Sequence, residues 1–441
     1  MLKRFNNVKV GYIPSTEVEI NNKKYLIHNV IDGEDIEVET EGKYPSLSKI
    51  IKPSEHRVYN GCPYQKECGG CQFMHVSYEY EQKLKKDFLN DLFKPFVNEV
   101  KFNPMFEYTH YRNKSQMTYK LSKSKKVVCG FYEEYSHRLV TVSDCMLQSK
   151  QANKIIAELN KILSKHKIMP YDERTREGII RHVYVRYGFN TKEAMVVIVT
   201  NGEFFPGRNN VLKDLLKLDL GITTVIQNYN HRDTSIVLGE ENKVLYGPGF
   251  IYEKVGNYKF KISPNSFFQV NTLGMKKLYD KAIEMAEIKK TDRVIDAYCG
   301  VGTISIFAAK HAKEVIGVEL NKQAIKDAKI NQKINNIANI NFIADDATNF
   351  MTHMAKERYE ADVVIMDPPR EGSTKQFINA INYLKPEKVV YVSCDPKTLK
   401  RDLYDFGEID YYVTKIEAFD NFSRTQHVEC VVLLNRIEPK K

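Results

Sequence analysis

Residues 293–303 read RVIDAYCGVGT. A run suited to a buried strand ends in two glycines one residue apart, and TISIFAAKHA then continues at helical spacing. Gly300 and Gly302 let the backbone approach a ligand at this strand-to-helix turn. A dinucleotide fingerprint would place a third glycine at position 305. Ser305 stands there, which counts against a nicotinamide cofactor. Glu319 closes the next strand-like run, EVIGVE, nineteen positions after Gly300. An acid near that spacing can accept both ribose hydroxyls of an adenosine; the plainer alternative is an exposed strand-end carboxylate. Asp346, after the third such run, is a candidate for the adenine edge.

Outward from this stretch, RVIDAY, EVIGVE, NINFIA, ADVVIM and VVYVS alternate with helical segments. That alternation predicts a parallel sheet with helices on both faces. One short helical stretch later come YYVTKIEAF and HVECVVLLN, separated only by DNFSRTQ. A connection that short demands an antiparallel neighbour, because a parallel crossover needs about a dozen residues or more. The expectation for residues 261–441 is therefore an α/β, Rossmann-like sheet of six parallel strands and an antiparallel last one. This pattern resembles the sheet of the S-adenosylmethionine-dependent methyltransferases.

At 441 residues the chain is too long for one ordinary core. Its 42% hydrophobic and 28% charged residues fit a soluble globular protein. No run of about 18 apolar residues argues for a membrane span. The start, MLKRFNNVKVGY, has neither an apolar core nor a cleavage site, so the expected location is the cytoplasm. Residues 1–54 alternate apolar and polar positions between the turn signals NNKK and DGED, and read as a small N-terminal β-barrel. Residues 55–260 read as a central α+β unit, with helices in VSYEYEQKLKKDFLNDLFK and SKQANKIIAELNKILSKH.

The net charge of +10 is modest for this length, so its distribution matters more. Residues 111–140 hold seven Lys or Arg against two Glu, interleaved with tyrosines, and RTREGIIRHVYVRYG (174–188) adds four arginines. Such runs are often plain solvated faces. Two with aromatics make nucleic-acid binding an equal reading, since cations hold phosphates while rings stack on bases. No obligate protein partner is evident.

The fourth strand delivers MDPPR (366–370), which alone reads equally as a rigid turn. Methyltransferases that act on planar nitrogen heterocycles carry a similar motif there. Those that modify exocyclic amines place an aromatic after the prolines, where this chain has Arg370. Carbon 5 of uracil, by contrast, is too weak a nucleophile to take a methyl group unaided. A thiolate adding to carbon 6 activates it, and a base must then remove the carbon-5 proton. The predicted topology offers both groups at the ligand edge of the sheet: Cys394 in VVYVSCDPKT (389–398) and Glu429 in HVECVVLL. The plain readings are a buried small thiol and a solvated carboxylate. His427 is the other nearby group able to act as a base. Cys430 points to the core, and Lys397 and Lys400 are placed to favour a thiolate.

SCDPKTLKRD, DNFSRTQHVE and DPPR together resemble the motifs of the RNA uracil-carbon-5 methyltransferases, over essentially the whole chain. The resemblance implies an RNA partner, with Cys394 the nucleophile and Glu429 the proton-abstracting base. It also implies that Gln269 in SPNSFFQVN, Tyr298, Glu319 and Asp367 contact S-adenosylmethionine, with Thr303 standing where some members have Asn.

Cys62, Cys68 and Cys71 in NGCPYQKECGGCQF have the spacing C-x5-C-x2-C. In a reducing compartment, clustered cysteines argue for metal over disulfides. Cys129 lies in an apparent strand interior, whereas Cys145 follows a turn, so Cys145 is taken as the fourth ligand. Four thiolates suit zinc or an iron–sulfur cluster, and spacing does not choose between them. Resemblance to family members with CGGC implies a 4Fe-4S cluster, and many of those members carry an N-terminal TRAM barrel. The nearest resemblance is to the iron–sulfur 23S rRNA uracil-5-methyltransferases. The alternatives are a tRNA T-loop methyltransferase and a non-catalytic iron–sulfur RNA-binding or ribosome-assembly factor. The intact Cys394, Glu429 and cofactor residues count against the last.

Overall fold

The computed structural model describes residues 1–41, 44–59, 61–134, 136–232, 234 and 236–437. Beyond position 290 the chain forms a sheet whose spatial order is third, second, first, fourth, fifth, seventh, sixth strand. These are Ile340–Ala344, Glu314–Glu319, Arg293–Ala297, Val363–Met366, Lys388–Ser393, Glu429–Arg436 and Tyr411–Phe419. The first five strands in the chain pair in parallel, and Glu429–Arg436 lies antiparallel to both of its neighbours. This is the S-adenosylmethionine-dependent methyltransferase α/β fold.

Near-continuous apolar runs make these strands because helices cover both faces. Alternation divides them between two cores. Val294, Ile365, Val390 and Val431 pack with Met275 and Leu278 of the helix Thr272–Ala286. Ile295, Val364, Tyr391, Cys430 and Val432 pack on the other face with Phe377, Leu399 and Phe406.

An eighth strand joins the edge of this sheet, which the sequence pattern does not reveal. Lys101–Asn103 pairs in parallel with Glu417, Ala418 and Phe419. The preceding helix, Tyr78–Phe93, buries Leu89 and Phe93 in the same core as Leu399 and Phe406. This helix and strand lie within the stretch read from sequence as the central unit, yet they pack on the C-terminal sheet. Three residues are too few to show a period-2 pattern.

The central part is a seven-stranded sheet, in spatial order Glu241–Tyr246, Ile222–Tyr229, Ala194–Thr200, Ile180–Tyr187, Lys114–Leu121, Val127–Tyr132 and Leu139–Thr141. The helix Lys150–Lys165, capped by Ser149, buries Ile155, Ile156, Leu159 and Leu163 against it. In the N-terminal module, Asn21 and Asn22 have positive φ and close the hairpin of Ser15–Ile20 with Lys23–His28, as NNKK predicts. DGED closes no hairpin. The strand after it, Asp35–Glu39, pairs instead with Leu2–Phe5 and Ser46–Lys52. The buried Glu34 carboxylate, paired with Arg57, anchors that turn.

One polar cluster ties the helix Tyr78–Phe93 to the C-terminal sheet. Lys85 is fully buried, with its Nζ 2.7 Å from Glu81 Oε1 and 2.6 Å from Asp420 Oδ1. Tyr78 donates to Asp420 Oδ2 at 2.7 Å, and Arg424 Nη1 lies 3.2 Å from Glu81 Oε2. Two buried carboxylates share these cations, so removing Lys85 leaves them uncompensated. Lys85→Met should lower the unfolding free energy by about 3–5 kcal/mol, read from urea denaturation. An unchanged midpoint would show that the cluster contributes nothing to stability.

Candidate active site

The parallel strands present their carboxyl ends on one edge, where ligands of such sheets bind. Ser393 pairs with Cys430 across the antiparallel ladder. The residue before Cys394 and the residue after Glu429 are thus cross-strand partners, and the charge of Glu429 acts on the Cys394 thiol. Asp395 caps the next helix, Pro396–Gly407, accepting from Lys397 N and Thr398 N at 2.9 and 3.1 Å. Strand end and helix cap thus flank Cys394 on both sides and hold it at the edge.

The electrostatics follow from burial and crowding. Burial pushes the Cys394 thiol up to about 12, and the carboxylates of Glu429 and Asp367 add to the shift. Arg370 opposes it, by charge and by a hydrogen bond. The sequence reading assigned this help to Lys397 and Lys400. The structure places it on Arg370, because the Pro-Pro turn carries that side chain across to the thiol while Lys397 faces solvent. Glu429 is 1% exposed, and its Oε2 has no hydrogen-bond partner. Burial, then Asp367, holds its carboxyl well above the usual range, against the pull of Arg370. His427 differs: burial, then Arg370, lowers it to about 4. Its Nε2 lies 3.3 Å from Arg370 Nη2. A guanidinium can only donate, so that nitrogen's lone pair is engaged. The open carboxylate oxygen is on Glu429.

Gln269, Thr303 and Asp367 meet around a residue that the motifs did not single out, Tyr279. Its buried ring reaches the side chains of Gln269 and Thr303 and lies close to Asp367 and Glu429. Burial, then Asp296, raises Asp367 to about 7, while a hydrogen bond from Gln269 works the other way. Asp296 is itself raised to about 7 by burial and accepts from the Ser305 hydroxyl. Ser305, in the place of a third glycine, thus partners a buried acid. Helical spacing within Thr272–Ala286 could have marked Tyr279 as inward-facing, but no chemical motif marks it.

The glycine turn is as predicted. Gly300 and Gly302 have φ of +56° and +79°, and a Cβ on Gly302 would lie 2.5 Å from the Phe342 ring. Glu319 reaches back across the turn, accepting from Gly300 N at 3.2 Å and from Asn321 N at 2.8 Å. Tyr298, also at positive φ, stacks obliquely with Phe377 at 5.7 Å. Its hydroxyl is near Ser373 and feels the charge of Asp346. Asp346 is at the edge, but one oxygen caps the helix Ala347–Lys356, accepting from Asn349 N at 3.0 Å.

Cys62, Cys68, Cys71 and Cys145 line one cavity of about 360 Å³, together with Arg112, Lys114 and Gln148. Burial raises all four thiols; the neighbouring thiols raise Cys62, Cys68 and Cys71 further, and Arg112 opposes the shift at Cys71 and Cys145. Cys129 lies apart, in the strand Val127–Tyr132, with its sulfur 3.2 Å from Asn160 Nδ2. Among the described residues, no group of three or more His, Cys, Asp or Glu is placed to hold a metal ion. Nor is any helix long and apolar enough to cross a membrane.

The family described as tRNA (Uracil-5-)-methyltransferase matches residues 239–437. An uncharacterized RNA methyltransferase of Clostridium tetani is 39% identical over 437 residues, 96% of this chain and 94% of its own. One of Oceanobacillus iheyensis is 39% identical over 397 residues, 89% of this chain and 86% of its own. The crystal structure of the Pyrococcus abyssi tRNA (uracil-54, C5)-methyltransferase, in complex with S-adenosyl-L-homocysteine, superposes with a TM-score of 0.78. It is 27% identical, with 98% of this chain and 100% of that chain covered.

Sheet order and edge together define an S-adenosylmethionine-dependent methyltransferase. The chain belongs to the RNA uracil-5-methyltransferase family, and it methylates RNA uracil using S-adenosylmethionine.

The raised thiol makes a direct prediction. Below about pH 12 the Cys394 thiolate is the minor form, so alkylation by iodoacetamide should rise about tenfold per pH unit between pH 7 and 9. Arg370→Ala removes the opposing cation and should slow alkylation at each pH. Peptide mass spectrometry at Cys394 reads both effects, and a pH-independent rate would contradict the environment described.

Proposed function

We propose that the protein methylates carbon 5 of specific uridines in 23S rRNA through a covalent Cys394–uracil adduct. The observation that carries the chemistry is the Ser393–Cys430 pairing, which brings the ends of the two strands together so that Glu429 acts on the Cys394 thiol. Bound S-adenosylmethionine supplies an electrophilic methyl group. The Cys394 thiol loses its proton to solvent, favoured by Arg370, and its sulfur forms a bond to carbon 6. Addition moves the electron pair of the ring double bond to carbon 5, which takes the methyl group while the departing sulfur keeps the pair of the broken sulfur–methyl bond, leaving S-adenosylhomocysteine. Glu429 then takes the carbon-5 proton on its open oxygen. The electrons of that C–H bond re-form the ring double bond and expel the sulfur from carbon 6. Burial makes Glu429 the stronger base, and it is the ionised form, favoured by Arg370, that accepts the proton.

Gln269, Tyr298, Gly300, Thr303, Glu319, Asp346 and Asp367 are assigned to the cofactor. Glu319, fixed by two backbone N–H groups, is placed for the ribose hydroxyls. Cys62, Cys68, Cys71 and Cys145 are assigned to a 4Fe-4S cluster. The four thiols line one cavity with a cation beside them that would offset thiolate charge, although among the described residues they are not drawn together as a metal-holding group. Residues 1–54 are assigned as a TRAM-like barrel and the basic central sheet as an RNA-binding surface.

A tRNA T-loop substrate is a second reading, favoured by the likeness to the Pyrococcus abyssi enzyme over the full chain. Mapping 5-methyluridine in 23S rRNA and in tRNA, with and without the protein, decides between them. Loss confined to tRNA would overturn the rRNA assignment. Cys394→Ala should abolish methyl transfer and any RNA adduct, and retained turnover would sink the mechanism. Glu429→Gln should let a protein–RNA adduct accumulate on a denaturing gel. Anaerobically purified protein should be brown and hold about four iron atoms per chain; colourless protein with stoichiometric zinc would refute the cluster.

A further inference from the structure

The segment that leads into Glu429 is held from the cysteine-rich segment. Arg424, five residues before Glu429, has a φ of +70°, a backbone conformation that non-glycine residues seldom adopt. Such a residue persists where its surroundings over-determine it. Here the Arg424 N–H donates to Glu81 Oε1 at 2.7 Å. Its carbonyl accepts from Gln72 N and Phe73 N at 3.0 and 3.1 Å. Its guanidinium donates to Val76 O at 2.8 Å and Glu81 Oε2 at 3.2 Å.

Two residues further on, the Gln426 N–H donates to Gln72 Oε1 at 3.2 Å, and its carbonyl accepts from the Tyr12 hydroxyl. Gln72 therefore grips the loop at two points, through its backbone at Arg424 and through its side chain at Gln426. The side-chain grip falls one residue before His427 and three before Glu429. Gln72 itself directly follows Cys71.

We propose that Gln72 is a positioning residue for methyl transfer: its side-chain carbonyl fixes Gln426 and so sets where Glu429 presents its open carboxylate oxygen. This rests on the reading of Glu429 as the proton acceptor. The hydrogen bonds from Gln72 to Arg424 and Gln426 act on the loop before Glu429, so the step it governs is proton removal and release. The cysteine segment is thereby joined to the chemistry through hydrogen bonds of its own backbone and side chain.

The test compares Gln72→Ala, Gln72→Glu and Glu429→Gln in the full-length, cluster-loaded protein with an RNA substrate and S-adenosylmethionine. Gln72→Ala should reduce kcat roughly three- to tenfold, the loss expected of one hydrogen bond. KM for both substrates and the Tm should stay unchanged, and a protein–RNA adduct should accumulate on a denaturing gel. Gln72→Glu keeps an acceptor for Gln426 N and should restore turnover and abolish the accumulation. Native behaviour of Gln72→Ala, while Glu429→Gln accumulates adduct, overturns the positioning role and leaves the base reading intact. An equal loss in Gln72→Glu also overturns it, as does a lowered Tm with no adduct formed. Native turnover of Glu429→Gln removes the base reading and this inference together.

Discussion

The antiparallel pairing of Glu429–Arg436 with Lys388–Ser393 is the constraint on which the site depends. Side chains alternate along a strand, so a slip of one residue would turn Glu429 away and bring Cys430 to the edge. Hydrophobic patterning alone does not forbid that slip, because Val431, Val432 and Leu434 are buried on both faces alike. Contacts from outside the ladder also hold the chain where it enters the strand. Asp420, Arg424 and Gln426, in the loop that enters the strand, are held by Lys85, Glu81 and Gln72. A helix and a cysteine segment more than 300 residues upstream therefore hold the loop that leads into Glu429.

The same edge concentrates acids. Asp296, Asp367 and Glu429 are carboxyls whose proton affinities burial raises, and each of the last two raises the thiol of Cys394. Arg370 is the cation that opposes this at both Cys394 and Glu429. A cationic reactive centre brought to this edge would favour the ionised forms of these carboxyls, because an opposite charge nearby lowers a carboxyl's proton affinity. The edge also holds the proton affinity of the thiol up, against the pull of Arg370.

The parallel sheet, its antiparallel last strand and the glycine turn were all legible in the sequence. Each rests on a local rule: period, connection length, or the close backbone approach that Gly300 and Gly302 allow at a strand-to-helix turn. Most of the edge residues were legible too, because motifs such as DPPR and SCDPKT lie at strand ends. Tyr279, Ser305 and the role of Arg370 were not. Their importance comes from what they meet across the fold, and no spacing along the chain records it. DGED misled for a related reason: a turn-forming stretch was read as a hairpin, whereas the strand after it found its partners elsewhere.

By itself the sequence determined the class of sheet, the family resemblance, and the chemistry that a cysteine and an acid at one edge would need. Those follow from residue type and periodicity, which are properties of neighbouring positions. Only the tertiary structure decided that Lys101–Asn103 completes the catalytic sheet and that Arg370, not Lys397 or Lys400, stands against the thiol. It also decided that the segment after Cys71 grips the loop before Glu429. These are contacts between residues far apart in the chain, and they exist because burial forces each polar group to find a partner wherever the packed fold brings one.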